Sequence, residues 1–127
     1  MARRHVTYEC SGCPVEAAME IIGAKWKGGT LFHLLGGERR FSELRRLMPN
    51  VTQRILSKAL RELEADGLVD RTVYPTVPPQ VGYRLTAKGE ALRSAVLALR
   101  AWGTEHLRHR EAATGLRDTA ALPLAAE

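Results

Sequence analysis

The chain has 127 residues, 45% of them hydrophobic and 26% charged, which suits a single domain with a packed core and argues against global disorder. Nineteen Lys+Arg stand against fourteen Asp+Glu, a net charge of +5 with an isoelectric point near 9.7, so an anionic partner is expected, nucleic acid before an acidic membrane surface. No apolar run is long enough for a transmembrane helix. The first residues do not read as a secretory signal, and two cysteines cannot frame a disulfide-stapled secreted domain. A reduced, cytoplasmic home is expected.

In chain order, residues 1–12 read as an N-terminal arm. The first amphipathic stretch begins at Cys13-Pro14, where Val15, Ala18, Met19 and Ile22 recur at helical spacing and Pro14 suits the first helical position. Gly23 ends it. A second helix carries Trp26, Leu31, Phe32, Leu34 and Leu35; Gly28-Gly29 weakens it by about 1 kcal/mol per glycine and admits a break at the pair. Residues 41–48 form a short helix with Ser42 as the expected N-cap and Pro49 as the stop. After a tight turn at Asn50-Val51, Thr52 caps a longer helix ending at Asp66-Gly67, with Val51 and Leu56 placed for a hydrophobic staple. Leu56, Ala59, Leu60 and Leu63 form its buried stripe, and Gln53, Arg54, Ser57, Lys58 and Arg61 the opposite face.

The period then turns extended. Residues 68–74 and 81–85 read as two strands, joined by Pro75-Thr76-Val77-Pro78-Pro79-Gln80, whose prolines mark the tip of a stiff hairpin. Thr86 is expected to cap a single last helix over residues 87–110 carrying Leu92, Ala95, Val96, Leu99, Trp102 and Leu107. Roughly 24 residues span about 36 Å, more than one small domain covers, so part of this stripe should meet a second copy of the chain. Val15, Met19, Leu92, Val96, Leu99 and Trp102 are the expected interface residues, with Trp102 and Leu99 as anchors. Residues 111–127 are Ala-rich and read as a disordered tail, leaving residues 13–110 as the domain.

This order of elements predicts a mainly α fold with a small β-hairpin, a winged helix-turn-helix with a long C-terminal dimerisation helix. In that arrangement the 52–66 helix enters a major groove. Taken alone, its basic face equally fits an ordinary solvated surface; the turn, cap, hairpin and charge together favour double-stranded DNA. Gln53, Arg54, Ser57 and Lys58 are expected at base edges. Arg39, Arg40, Ser42, Arg45, Arg46, Thr52, Arg61, Thr76 and Arg84 are expected at phosphates. For Lys58 and Arg61 a phosphate contact is as good a reading as a base contact, and some of the arginines beside the short helix fit pairing with Glu43 or solvent.

Several separate blocks also resemble one known family. Cys13-Pro14-Val15-Glu16, Lys25-Trp26, Arg40-Phe41-Ser42-Glu43-Leu44-Arg45-Arg46, Leu60-Arg61-Glu62-Leu63-Glu64-Ala65-Asp66-Gly67-Leu68, Tyr74-Pro75-Thr76-Val77-Pro78-Pro79, Tyr83-Arg84-Leu85-Thr86 and Ala101-Trp102-Gly103 are similar to the HxlR-type transcriptional regulators. The resemblance runs from Cys13 to Trp102. It implies a cytoplasmic bacterial homodimer on an operator, with a cysteine matching Cys13 that in some members senses oxidants or electrophiles. The chain departs from the pattern at Gly28-Gly29, and at Gln80 and Gly82, where charged residues are usual.

Cys13, just before Pro14, sits where a thiolate faces the partial positive charge of a helix start, which raises its reactivity; Glu16 opposes this. A plain structural role is the alternative. Cys10 and Cys13 form a C-x-x-C, so Cys10 is a candidate resolving thiol. A thioredoxin-type oxidoreductase would need a βαβ context that is missing, and a zinc site would have to borrow His106 and His109. No cofactor, metal site or catalytic constellation is expected, and the chain does not read as an enzyme. The rival functions are a regulator of the same fold governed by a small-molecule ligand, a C-x-x-C thiol oxidoreductase, and a winged helix that binds only protein. The basic face of Arg54, Lys58 and Arg61 argues against the last. A dimer implies an operator with inverted half-sites.

Overall fold

A computed structural model describes residues 12–114 of the chain. Its elements are α1 (Pro14–Ile22), α2 (Lys27–Leu34), β1 (Arg39–Arg40), α3 (Phe41–Leu47), α4 (Gln53–Ala65), β2 (Val69–Tyr74), β3 (Gln80–Leu85), α5 (Ala87–Glu90) and α6 (Arg93–Thr114). The chain divides after Arg93 into two compact units. The first holds the tri-helical core and the sheet, and the second is essentially α6. The fold is thus mostly helical with a small antiparallel sheet and a long C-terminal helix, as the periodicity predicts. None of the described helices is long and apolar enough to cross a membrane.

Three local outcomes differ from expectation. The sheet has three strands, in the order β1-β3-β2, not two. Arg39 and Arg40 pair with Tyr83 and Gly82 of β3, so the residues leading into α3 are stitched to the hairpin. The N-cap of α3 is accordingly Arg40, not Ser42, which lies exposed in the first turn. Strand pairing holds Arg40 extended, and the Glu43 carboxylate accepts its backbone N–H at 2.8 Å, the reciprocal half of a capping box. Finally, the C-terminal helix is not continuous. Thr86 caps only the short α5, its Oγ1 accepting from Gly89 N–H at 3.0 Å. Arg93, which opens α6, donates to the Leu35 carbonyl and to Glu90. Helix α6 runs on to Thr114, past the expected boundary at residue 110, while the rest of the expected tail lies outside the described residues.

Elsewhere the local signals act as read. Gly28 and Gly29 sit within the first turns of α2 without breaking it. The helix starts from Trp26, held at φ 72°, a left-handed conformation that costs a non-glycine residue about 1–2 kcal/mol. The buried Thr30 holds it there, its hydroxyl donating to the Trp26 carbonyl at 2.7 Å. Helix α4 is closed at both ends. Thr52 Oγ1 accepts from Ile55 N–H at 3.1 Å, and Gly67 at φ 79° ends the helix in a Schellman motif, with Leu68 N–H on Leu63 O and Gly67 N–H on Glu64 O. Val51 and Leu56, the expected staple pair, are both buried.

The core gathers Leu31 and Leu34 of α2, Leu44 of α3, Leu56, Leu60 and Leu63 of α4, and Leu68 and Val69 at the start of β2. Into it comes one charged side chain. Lys27 is 7% exposed, and its ammonium lies 3.5 Å from both Glu62 and Asp66, at the C-terminal end of α4 where the helix dipole also favours a cation. Both carboxylates are partly solvated, whereas the lysine is not, so the two sides of the pair are unequal. Glu62→Gln with Asp66→Asn strands a buried cation and should lower unfolding free energy by about 3–5 kcal/mol. Lys27→Met leaves only carboxylates that water can reach and should cost markedly less. Denaturant unfolding of both variants checks this; equal losses would mean the charge itself is not the constraint.

Candidate nucleic-acid interface

The outer face of α4 is polar because its stripe of leucines is used on the inner one. Gln53, Arg54, Lys58 and Arg61 are exposed along it, with Ser57 half-buried among them. Positions 54, 58 and 61 are one and two turns apart, so three cations share one side of the helix. Lys58 donates to Glu62 at 2.8 Å, and Glu62 thereby links the outer face to the buried Lys27. Thr52 at the helix start uses its oxygen as a cap acceptor, which leaves its hydroxyl proton for a phosphate.

The expected backbone contacts divide into two sets. Arg40, Arg46 and Arg84 are exposed, and β1–β3 pairing brings Arg39 and Arg40 onto the same sheet as Arg84. By contrast Arg39 is half-buried and donates Nε–H to the His33 carbonyl at 2.8 Å, an anchor to the end of α2. Arg45 is also half-buried, and its Nε has no hydrogen-bond partner among the described residues. Thr76 donates its hydroxyl to Pro78 O at 2.7 Å, so it shapes the hairpin tip. Val77 beside it is 99% exposed.

Sequence reasoning passed over the contact that stiffens this hairpin. Tyr74 donates its hydroxyl to Glu38 at 2.6 Å, and the Glu38 carboxylate lies over Gly82, where any Cβ would overlap it. A side chain at position 82 would turn the Glu38 carboxylate aside and away from Tyr74. The hydrogen bond to Glu38 holds the Tyr74 phenol above its ordinary pKa of 10.0, with desolvation and the Glu38 charge adding and Arg84 opposing. No periodicity could signal the pair, since its members are 36 residues apart.

Cys13 is the N-cap residue of α1, half-buried, with its side chain making no capping hydrogen bond. Cys10 lies outside the described residues. Of the expected interface residues, Val15 at 68%, Met19, Leu99 and Trp102 at 67% are exposed. Leu92 is half-buried and Val96 buried. His106 stacks on Trp102 with ring centroids 5.0 Å apart.

Comparison with known proteins points one way. The HxlR-like helix-turn-helix family profile matches residues 21–111. The chain is 50% identical over 95 residues to YdeP of Bacillus subtilis (strain 168), an HTH-type transcriptional regulator, covering 75% of this chain and 74% of that one. Among solved structures, the redox regulator HypR in its oxidized form aligns with a TM-score of 0.70 at 50% identity, over 73% of this chain and 96% of HypR. The reduced form of the transcriptional regulator YodB from B. subtilis aligns with a TM-score of 0.65 at 36% identity, over 73% of this chain and 92% of YodB.

The shared carboxylate makes a pH test. The hydrogen bond from Lys58 holds Glu62 below its ordinary 4.5, against the opposing effect of burial and with the attraction of Lys27 adding. A depressed carboxylate stabilises the fold above its unfolded pKa, and that contribution is lost as pH falls through the folded value. In Lys58→Met the Glu62 midpoint, followed by carboxyl-carbon NMR, should rise toward 4.5. An unmoved midpoint would show that Lys58 does not hold the carboxylate in solution.

Proposed function

The chain belongs to the HxlR-like helix-turn-helix family of transcriptional regulators, and from that premise we propose that it acts in the cytoplasm as a homodimer on an operator of inverted half-sites. The observation that carries this reading is the exposed, largely cationic face of a helix capped at both ends and clasped by Lys27. A rigid helix of about 10–12 Å diameter fits a major groove about 12 Å wide. Gln53 and Arg54, in its first turn, suit adenine and guanine edges, with Lys58 and Ser57 one turn on. Thr52, Arg61, Arg40, Ser42, Arg45, Arg46 and Arg84 suit phosphates, and Arg39, whose Nε–H is on the His33 carbonyl, chiefly anchors β1 to α2. Val15, Met19, Leu92, Val96, Leu99 and Trp102 suit a two-fold apolar interface, and four of them, Val15, Met19, Leu99 and Trp102, are exposed.

Light scattering should give twice the 14.0 kDa chain mass. Selection from a random duplex pool should recover inverted half-sites about 34–36 Å apart. On the recovered duplex, Arg54→Ala should lose about 1–3 kcal/mol of discrimination at one base pair. A monomer, or an Arg54→Ala variant with unchanged specificity, contradicts the assignment.

A second reading concerns control. Cys13 opens α1, and similarity to HypR, described as a redox regulator in oxidized and reduced forms, supports a response to oxidants or electrophiles at its thiol. Cys10 is the candidate resolving partner. Mild peroxide or quinone should change operator binding in the wild type and, for a disulfide, dithiothreitol should reverse it. Cys13→Ser should bind DNA and not respond; a response that persists without Cys13 makes the residue structural.

A further inference from the structure

Between α4 and the β2–β3 hairpin lies a partly open concavity of about 370 Å³, lined by Ser57, Leu60, Arg61, Glu64, Arg71 and Tyr83. Three elements build it, α4, β2 and β3, since Arg71 of β2 lies opposite Tyr83 of β3 in the sheet register. Among the described residues, neither the Arg61 nor the Arg71 guanidinium makes an ion pair or a hydrogen bond, and the Ser57 and Tyr83 hydroxyls have no partner. Leu60 forms an apolar wall, 1% exposed.

Two unpaired guanidinium groups around so small a space repel each other, and the one carboxylate there, Glu64, leaves the site net positive. Two planar forks and two hydroxyls supply donors, a set that suits an anion with several acceptor oxygens. The geometry points to a phosphate of the DNA backbone, gripped by Arg61 and Arg71 with Ser57 and Tyr83 at the edge. This deepens the operator-binding reading and rests on it. A helix nearly as wide as the major groove has the groove's phosphate walls against both flanks, and the flank of α4 toward the hairpin is this concavity. Arg71, which the sequence pattern did not single out, becomes a wing contact to the same strand that Arg61 touches from the helix.

Phosphate contacts are blind to sequence, so the test uses a fluorescein-labelled mixed-sequence duplex of about 30 base pairs, followed by anisotropy between about 50 and 200 mM KCl. Arg71→Ala should reduce the slope of log K against log salt by about 0.9, so that its affinity deficit shrinks about 3.5-fold across that range. Arg71→Lys should restore most of the slope. Glu64→Gln should tighten binding, and Arg108→Ala, whose guanidinium is paired with Glu105 on α6, should change nothing. Thermal melts must show each variant folded. Wild-type slope and affinity in Arg71→Ala, or weaker or unchanged binding in Glu64→Gln, overturns the cradle while leaving operator binding intact. No salt-dependent binding by the wild type overturns the operator reading and the cradle with it. A third arm titrates inorganic phosphate against the arginine Nε–H NMR signals. Saturation in the micromolar range, with the duplex slope unaltered in Arg71→Ala, identifies a free-anion site instead and overturns the proposal.

Discussion

Lys27 brings a full positive charge into a position with only 7% exposure, and the placement of the neighbouring helices follows from how that charge is met. Its stem packs in the core while the ammonium reaches two carboxylates one turn apart, Glu62 and Asp66. An isolated charge at this depth would be unfavourable by several kcal/mol. Helix α2 therefore has one rotational setting relative to α4 that satisfies it, and the leucines of both helices fill in around that setting. Hydrophobic contact alone tolerates sliding of a leucine stripe; a buried charge with named partners does not.

The same end of α4 is fastened repeatedly. Lys88 donates to the Asp66 carbonyl at 3.0 Å, and Thr86 donates to the Gly67 carbonyl at 2.6 Å while accepting from Gly89. Thr86 N–H also reaches Leu68 O. Helix, turn, strand and the start of α5 thus share one small hydrogen-bonded junction. At the other end Thr52 supplies the cap, and β1 ties the support helix into the sheet. A side chain that reads a base edge must arrive within tenths of an ångström, and loops of this length would not provide that without such fastening.

Much of this was legible in the residues. The shift from a 3.6-residue to a two-residue period marks where α4 gives way to the hairpin, Thr52 and Gly67 declare their ends of α4, and the HxlR-type blocks extend over most of the domain. What was not legible had specific causes. Two residues, Arg39 and Arg40, are too few to show strand periodicity. Ser42 is a common cap residue, but Glu43 stands three positions after Arg40, and that spacing decides the matter. Lys27 looks like a surface lysine until the partners 35 and 39 residues away fold onto it. Arg71 and Tyr83 were part of a recognised hairpin, yet only strand register sets them beside α4. Local pattern thus specifies elements, while the sites arise from pairs separated in sequence.

Glu62 has a consequence for the ionic atmosphere around a complex. It holds Lys58 on the outer face and Lys27 within, so Lys58 arrives at any duplex already neutralised by a counterion that is part of the chain. When Lys58 leaves the carboxylate for a phosphate, the DNA sheds a condensed cation, but the vacated Glu62 draws one back from solution. The exchange is close to ion-neutral. Of the cations along α4, Lys58 should thus bind with the least sensitivity to salt, and Arg54, with no carboxylate partner among the described residues, with more. A face that carries three formal charges behaves, toward the surrounding electrolyte, as though it carried nearer to two.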